Sequence, residues 1–140
     1  MNVLLIEDEP QAAARLESLI LQIQPAAKIV SKIDSVRRSV SWLKENPPVD
    51  LVFMDIQLAD GLSFEIFDQV EVVSPIIFTT AYNEYALKAF KVNSIDYILK
   101  PVDKDELTSA FRKYEQLTTR PQRNEAMMES IGYAMQMLTR

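Results

Sequence analysis

The chain is organised around short, wholly apolar runs that each stop on polar side chains. Val3 to Ile6 leads into Glu7, Asp8 and Glu9, and Leu51 to Met54 into Asp55. Ile76 to Phe78 leads into Thr79 and Thr80, and Tyr97 to Leu99 into Lys100. Runs this short fit strands better than helices, and runs apolar at every position, not alternate ones, fit strands buried on both faces. Such strands form parallel sheets with helices packed on either side.

The segments between the runs are compatible with that constraint. Pro10 suits a first helical turn, and Leu16, Leu19, Ile20 and Ile23 recur at helical spacing up to Pro25. Residues 28 to 33 (KIVSKI) form a weaker second strand. Ser35 caps a helix carrying Val36, Val40 and Leu43 that ends before Pro47 and Pro48. Asp60-Gly61 is a turn signal. Ser63 is positioned to cap a helix with Phe64, Phe67 and Val70 on one face. A fourth helix carries Tyr85, Leu87, Ala89 and Phe90, and Asp103 opens a last one through Leu107, Ala110, Phe111 and Tyr114 to about Thr118. Five strands alternating with five helices imply right-handed parallel crossovers.

In open parallel sheets, ligands bind beyond the carboxyl ends of the strands, near the point where strand order reverses. Glu7, Asp8, Asp55, Thr79, Thr80 and Lys100 all fall at such ends. Asp34 follows the second strand, which is expected at an edge, and so lies outside the site. Taken singly, each residue has an ordinary reading: acids at a solvated helix start, threonines bonding nearby backbone, a lysine in a surface loop. Three carboxylates, a hydroxyl and a lysine converging on one sheet edge are hard to place there without a cation.

Composition narrows the chemistry. The 140 residues fit one domain, and no apolar run is long enough for a signal peptide or a membrane span, so a soluble, cytoplasmic protein is expected. Cysteine and histidine are both absent, which excludes disulfides, thiolate or imidazole metal sites, and Ser-His-Asp or Cys-His catalysis. A net charge of −5 argues against direct nucleic-acid binding by this chain. Phosphoryl transfer to a carboxylate uses every member of the set. Asp8 and Asp55 can bind Mg²⁺, with Glu7 acting through water, and Asp55 is the nucleophile. Lys100 and a threonine hydroxyl meet the charge on the phosphoryl oxygens.

"LLIEDEP", "LVFMDIQLADG", "IIFTTA" and "DYILKP" together resemble the receiver domains of two-component response regulators, over roughly residues 1 to 118. The resemblance implies a flavodoxin-like (βα)5 fold, with a five-stranded parallel sheet in the order 2-1-3-4-5. It also implies site roles. Glu7 and Asp8 match the metal-binding acidic pair and Asp55 the phosphoacceptor, and the backbone carbonyl of Gln57 completes the Mg²⁺ site. Thr80, directly before Ala81, matches the switch hydroxyl, with Thr79 the less favoured of the two. Tyr97 matches the switch aromatic, and Lys100 the lysine that contacts the phosphoryl group. A cis Lys100-Pro101 bond is expected. Only "IQLAD" separates Asp55 from Gly61, where family members commonly have a proline and a longer loop.

The stretch "FTTAYNEYALKAFKVNSIDYILKP" looks most like receivers that precede a LytTR-type DNA-binding domain. Residues 119 to 140 read as a linker helix towards such an output domain, with Met127, Ile131, Met135 and Leu138 at roughly helical spacing. The implied partners are a sensor histidine kinase, the output domain and a second copy of the chain. The expected output surface is that of the fourth helix, fifth strand and last helix, where Lys88 and Lys91 can face Asp96, Asp103 and Asp105 across a two-fold axis. No enzymatic activity is expected beyond self-phosphorylation and self-dephosphorylation. Two rival classes fit less well. A haloacid-dehalogenase-like phosphatase would carry Asp-x-Asp after its first strand, and a flavodoxin-like electron carrier needs a phosphate loop where Glu7, Asp8 and Glu9 would repel phosphate. A receiver-like interaction module that is never phosphorylated fits the same residues.

Overall fold

A computed structural model of the chain describes residues 1–81 and 94–119. The expected fourth helix, Lys88, Lys91 and the methionine-bearing tail lie outside the described residues. Five of the apolar segments form one parallel sheet: β1 (Asn2–Ile6), β2 (Lys28–Ile33), β3 (Leu51–Asp55), β6 (Ile76–Thr80) and β7 (Ser94–Leu99). Their order is β2-β1-β3-β6-β7, which is 2-1-3-4-5 when the sheet strands alone are counted. The order reverses between β1 and β3, so the crevice at their carboxyl ends is flanked by Glu7 and Asp8 on one side and Asp55 on the other.

Because successive strand residues face opposite sides, the continuous apolar runs supply two cores. Val3, Leu5, Phe53 and Ile77 face α1 (Pro10–Ile23) and α4 (Lys104–Thr119), packing with Leu16, Ile20, Leu107 and Phe111. The rings of Phe53 and Phe111 lie 5.7 Å apart. Leu4, Ile6, Val52, Met54 and Phe78 face α2 (Val36–Glu45) and α3 (Phe64–Phe67), with Val36, Val40 and Ile66. Phe78 lies between Phe64 and Phe67, at 5.6 and 6.4 Å.

The helix starts follow local chemistry in three places. Pro10 occupies the first turn of α1. The Ser35 hydroxyl accepts from the Arg38 N–H at 3.1 Å, and Asp103 accepts from the Glu106 N–H at 3.2 Å. Ser63 departs from expectation. Its backbone is already helical (φ −61°, ψ −20°), whereas a capping side chain needs an extended residue, and its hydroxyl makes no cap bond. The Leu62 N–H instead donates to Glu65 at 2.9 Å, and α3 stops at Phe67 without reaching Val70. The loop expected after Asp55 is a small antiparallel hairpin of β4 (Gln57–Leu58) and β5 (Gly61–Leu62). The Lys100–Pro101 peptide bond is cis.

Candidate functional site

Glu7 continues the β1 ladder by one bond, its N–H donating to the Ile33 carbonyl at 2.8 Å, so its carboxylate is held over the end of the sheet. One carboxylate oxygen accepts from the Glu9 N–H at 3.2 Å. Asp55 is the last residue of β3 and is buried; its register partner on β6 is Thr79. One Asp55 oxygen accepts from the Gln57 N–H at 3.3 Å and the other from the Lys100 ammonium at 2.9 Å. The same ammonium pairs with Glu7. The Lys100 backbone is fixed by its N–H, which donates to the Thr80 carbonyl at 2.7 Å.

Asp8, half-buried, completes an acidic group. One oxygen from each of Glu7, Asp8 and Asp55 lies within 4.8 Å of the others, so this cluster can hold a metal ion. An all-carboxylate donor set suits a hard divalent cation. Burial, with Asp55 beside it, holds the Glu7 carboxyl above its ordinary range although Lys100 pulls the other way. Burial and the neighbouring Glu7 raise Asp8 likewise. Burial works against the Lys100 ammonium, yet its bonds to Glu7 and Asp55 outweigh that cost and raise its pKa. The site therefore concentrates more negative charge than one lysine balances.

Strand alternation separates the two threonines, both buried. Thr79 shares the side of Ile77 and lines a cavity of about 390 Å³ with Glu7, Arg15 and Lys100. Thr80 shares the side of Phe78, whose register partner is Tyr97; Tyr97 is half-buried and packs on the second core. Gln57 is exposed at the base of the hairpin, and Asp34 is exposed beyond β2, outside the acidic group. Sequence reasoning missed three features. The first is the Glu7–Lys100 pair. The second is Arg15, which donates from α1 to the Val102 carbonyl at 3.0 Å. The third is the use made of Asp60, which looked only like a turn residue.

Residues 3–112 match the family model described as the response regulator receiver domain. The chain belongs to this family. The receiver is 38% identical over 116 residues to a "Sensory transduction protein LytT" of Enterococcus faecalis, covering 81% of this chain and 47% of the relative. It is also 38% identical over 118 residues to the protein of that name from Bacillus anthracis, covering 82% and 47%. The receiver thus spans about half the length of the curated relatives it matches. Among solved structures, it superposes on the response regulatory domain of protein mrkE from Klebsiella pneumoniae with a TM-score of 0.71 and 32% identity. That match covers 83% of this chain and 99% of the other. The receiver is therefore a two-component signalling domain of the LytT type. Among its described residues, no helix is long and apolar enough to cross a membrane.

Proposed function

We propose that Asp55 accepts a phosphoryl group from a sensor histidine kinase, with Mg²⁺ held by Glu7, Asp8, Asp55 and the backbone carbonyl of Gln57. The observation that carries this reading is a buried aspartate paired with a lysine ammonium at 2.9 Å, beside two further acids at the reversal point of the sheet. An Asp55 oxygen attacks the phosphorus of a phosphohistidine. The P–N bond breaks, its electron pair stays with the imidazole, and an acyl phosphate O–P bond forms. When bound, Mg²⁺ neutralises part of the charge on the phosphoryl oxygens.

Lys100 supplies a point charge to the phosphoryl oxygens, and as it turns towards them Glu7 would be released to hold the metal. The Thr80 hydroxyl donates to a phosphoryl oxygen, and Tyr97 turns into the space that Thr80 vacates. This change biases the surface around β7 and α4 between two arrangements. Residues 1–118 act as the receiver and 119–140 as a linker helix to a LytTR-type DNA-binding output, consistent with relatives about twice as long. Phosphorylation favours a homodimer through this surface, and the protein works in the cytoplasm.

A small-molecule phosphodonor such as phosphoramidate tests the chemistry. With Mg²⁺, the intact mass should rise by one phosphoryl group, and hydroxylamine should remove it; EDTA should prevent the gain. No gain under any metal condition would leave an interaction module that is never phosphorylated.

A further inference from the structure

The first turn of a helix exposes N–H groups that the helix itself cannot pair. At the start of α2 they are closed from two sources. Ser35 supplies the local cap: its hydroxyl accepts from the Arg38 N–H, while its carbonyl begins the helical ladder by accepting from the Ser39 N–H at 3.1 Å. The Val36 and Arg37 N–H groups are taken by a residue 24 and 23 positions away. Asp60 Oδ1 accepts from the Val36 N–H at 2.6 Å, and Oδ2 from the Arg37 N–H at 3.0 Å.

Asp60 lies in the two-residue turn of the β4–β5 hairpin, whose register pairs Leu58 with Gly61 and Gln57 with Leu62. Both of its carboxylate oxygens are committed to α2, so the side chain clips the tip of the hairpin to another helix. The base of the hairpin is equally tied. The Ser63 N–H donates to Ile56 at 2.7 Å, the Ile56 N–H to Thr79 at 3.2 Å, and the Gln57 N–H to Asp55 at 3.3 Å. An unbroken set of backbone and carboxylate bonds therefore runs from α2 through Asp60 to Gln57 and Asp55.

We infer that Asp60 is a positioning residue for the metal site: by clamping the hairpin to α2 it fixes where the Gln57 carbonyl and the Asp55 carboxylate stand. This inference rests on the Mg²⁺ reading above. Helix α2 has its own cap at Ser35, so removing Ser35 or Asp60 weakens the same helix while only one of them releases the loop.

Isothermal titration of Mg²⁺ into the full chain, with thermal melts of each variant, separates these effects. Asp60→Ala should weaken Mg²⁺ binding about tenfold, the lower end of what loss of an outer-shell partner costs. Asp60→Asn, which keeps an acceptor, should fall between it and wild type. Ser35→Ala should melt lower than wild type yet bind Mg²⁺ with unchanged affinity. Wild-type affinity in Asp60→Ala, or an equal loss in Ser35→Ala, overturns the inference. If Asp60→Ala does not fold, Asp60→Asn decides, and affinity equal to that of Ser35→Ala overturns it. Wild-type protein that binds no Mg²⁺ would instead remove the metal reading beneath it.

Discussion

The Lys100 ammonium stands 2.9 Å from Asp55 Oδ2 and pairs at the same time with Glu7, whose side chain is 3% exposed; that of Asp55 is 7% exposed. One cation thus compensates two buried carboxylates. Lys100→Ala should cost about 3–5 kcal/mol in urea unfolding at neutral pH, the range for breaking a buried ion pair from one side. Mg²⁺ should restore more stability to this variant than it adds to wild type, because it returns positive charge to the same carboxylates. A variant as stable as wild type without metal would contradict the pairing.

Stability at low pH should report the Asp60 clamp. The bond from the Val36 N–H, aided by Arg37, holds the Asp60 carboxyl below its ordinary range despite some burial. A group lowered in the folded state stabilises above its unfolded pKa, about 3.9 for aspartate, and that stabilisation is lost as pH falls through the lower folded value. The stability difference between wild type and Asp60→Asn should therefore be constant near neutrality and shrink below about pH 4. A difference that grows on acidification would contradict the bond pattern.

The two threonines should behave differently in output. A beryllofluoride mimic of the phosphoryl group should shift wild type towards dimer in sedimentation velocity, and Thr79→Ala should follow it. Thr80→Ala, lacking the hydroxyl on the Tyr97 side of the sheet, should stay monomeric. The reverse pattern would move the switch to Thr79, which shares a sheet face with Asp55 and lines the cavity beside Lys100.

Much of the site was legible because its residues sit where apolar runs stop. A strand buried on both faces can carry polar groups only at its ends, so Glu7, Asp55 and Lys100 were placed by the same pattern that placed the strands. The Ser35 and Asp103 caps were legible for a similar reason: each bonds an N–H three residues on. The link from Asp60 to α2 was not, because Asp-Gly reads locally as a turn and the carboxylate's partners are set by tertiary packing. The hairpin around it has two residues per strand, too few to show alternation. Ser63 misled because the hairpin delivers the chain into α3 with Ser63 already helical. The Glu7–Lys100 pair has no sequence signal; the two residues come from the ends of different strands, and which oxygen the lysine meets is set by side-chain geometry.

Asp55 as the phosphoacceptor is tested most directly by one mass measurement. Wild type and Asp55→Asn, which keeps the shape and removes the nucleophilic carboxylate, should be treated side by side with phosphoramidate and Mg²⁺ and weighed intact, with circular dichroism confirming that both are folded. Wild type should gain one phosphoryl group, mapped to the peptide containing Asp55, and Asp55→Asn should gain none; an equal gain in the variant would contradict the account.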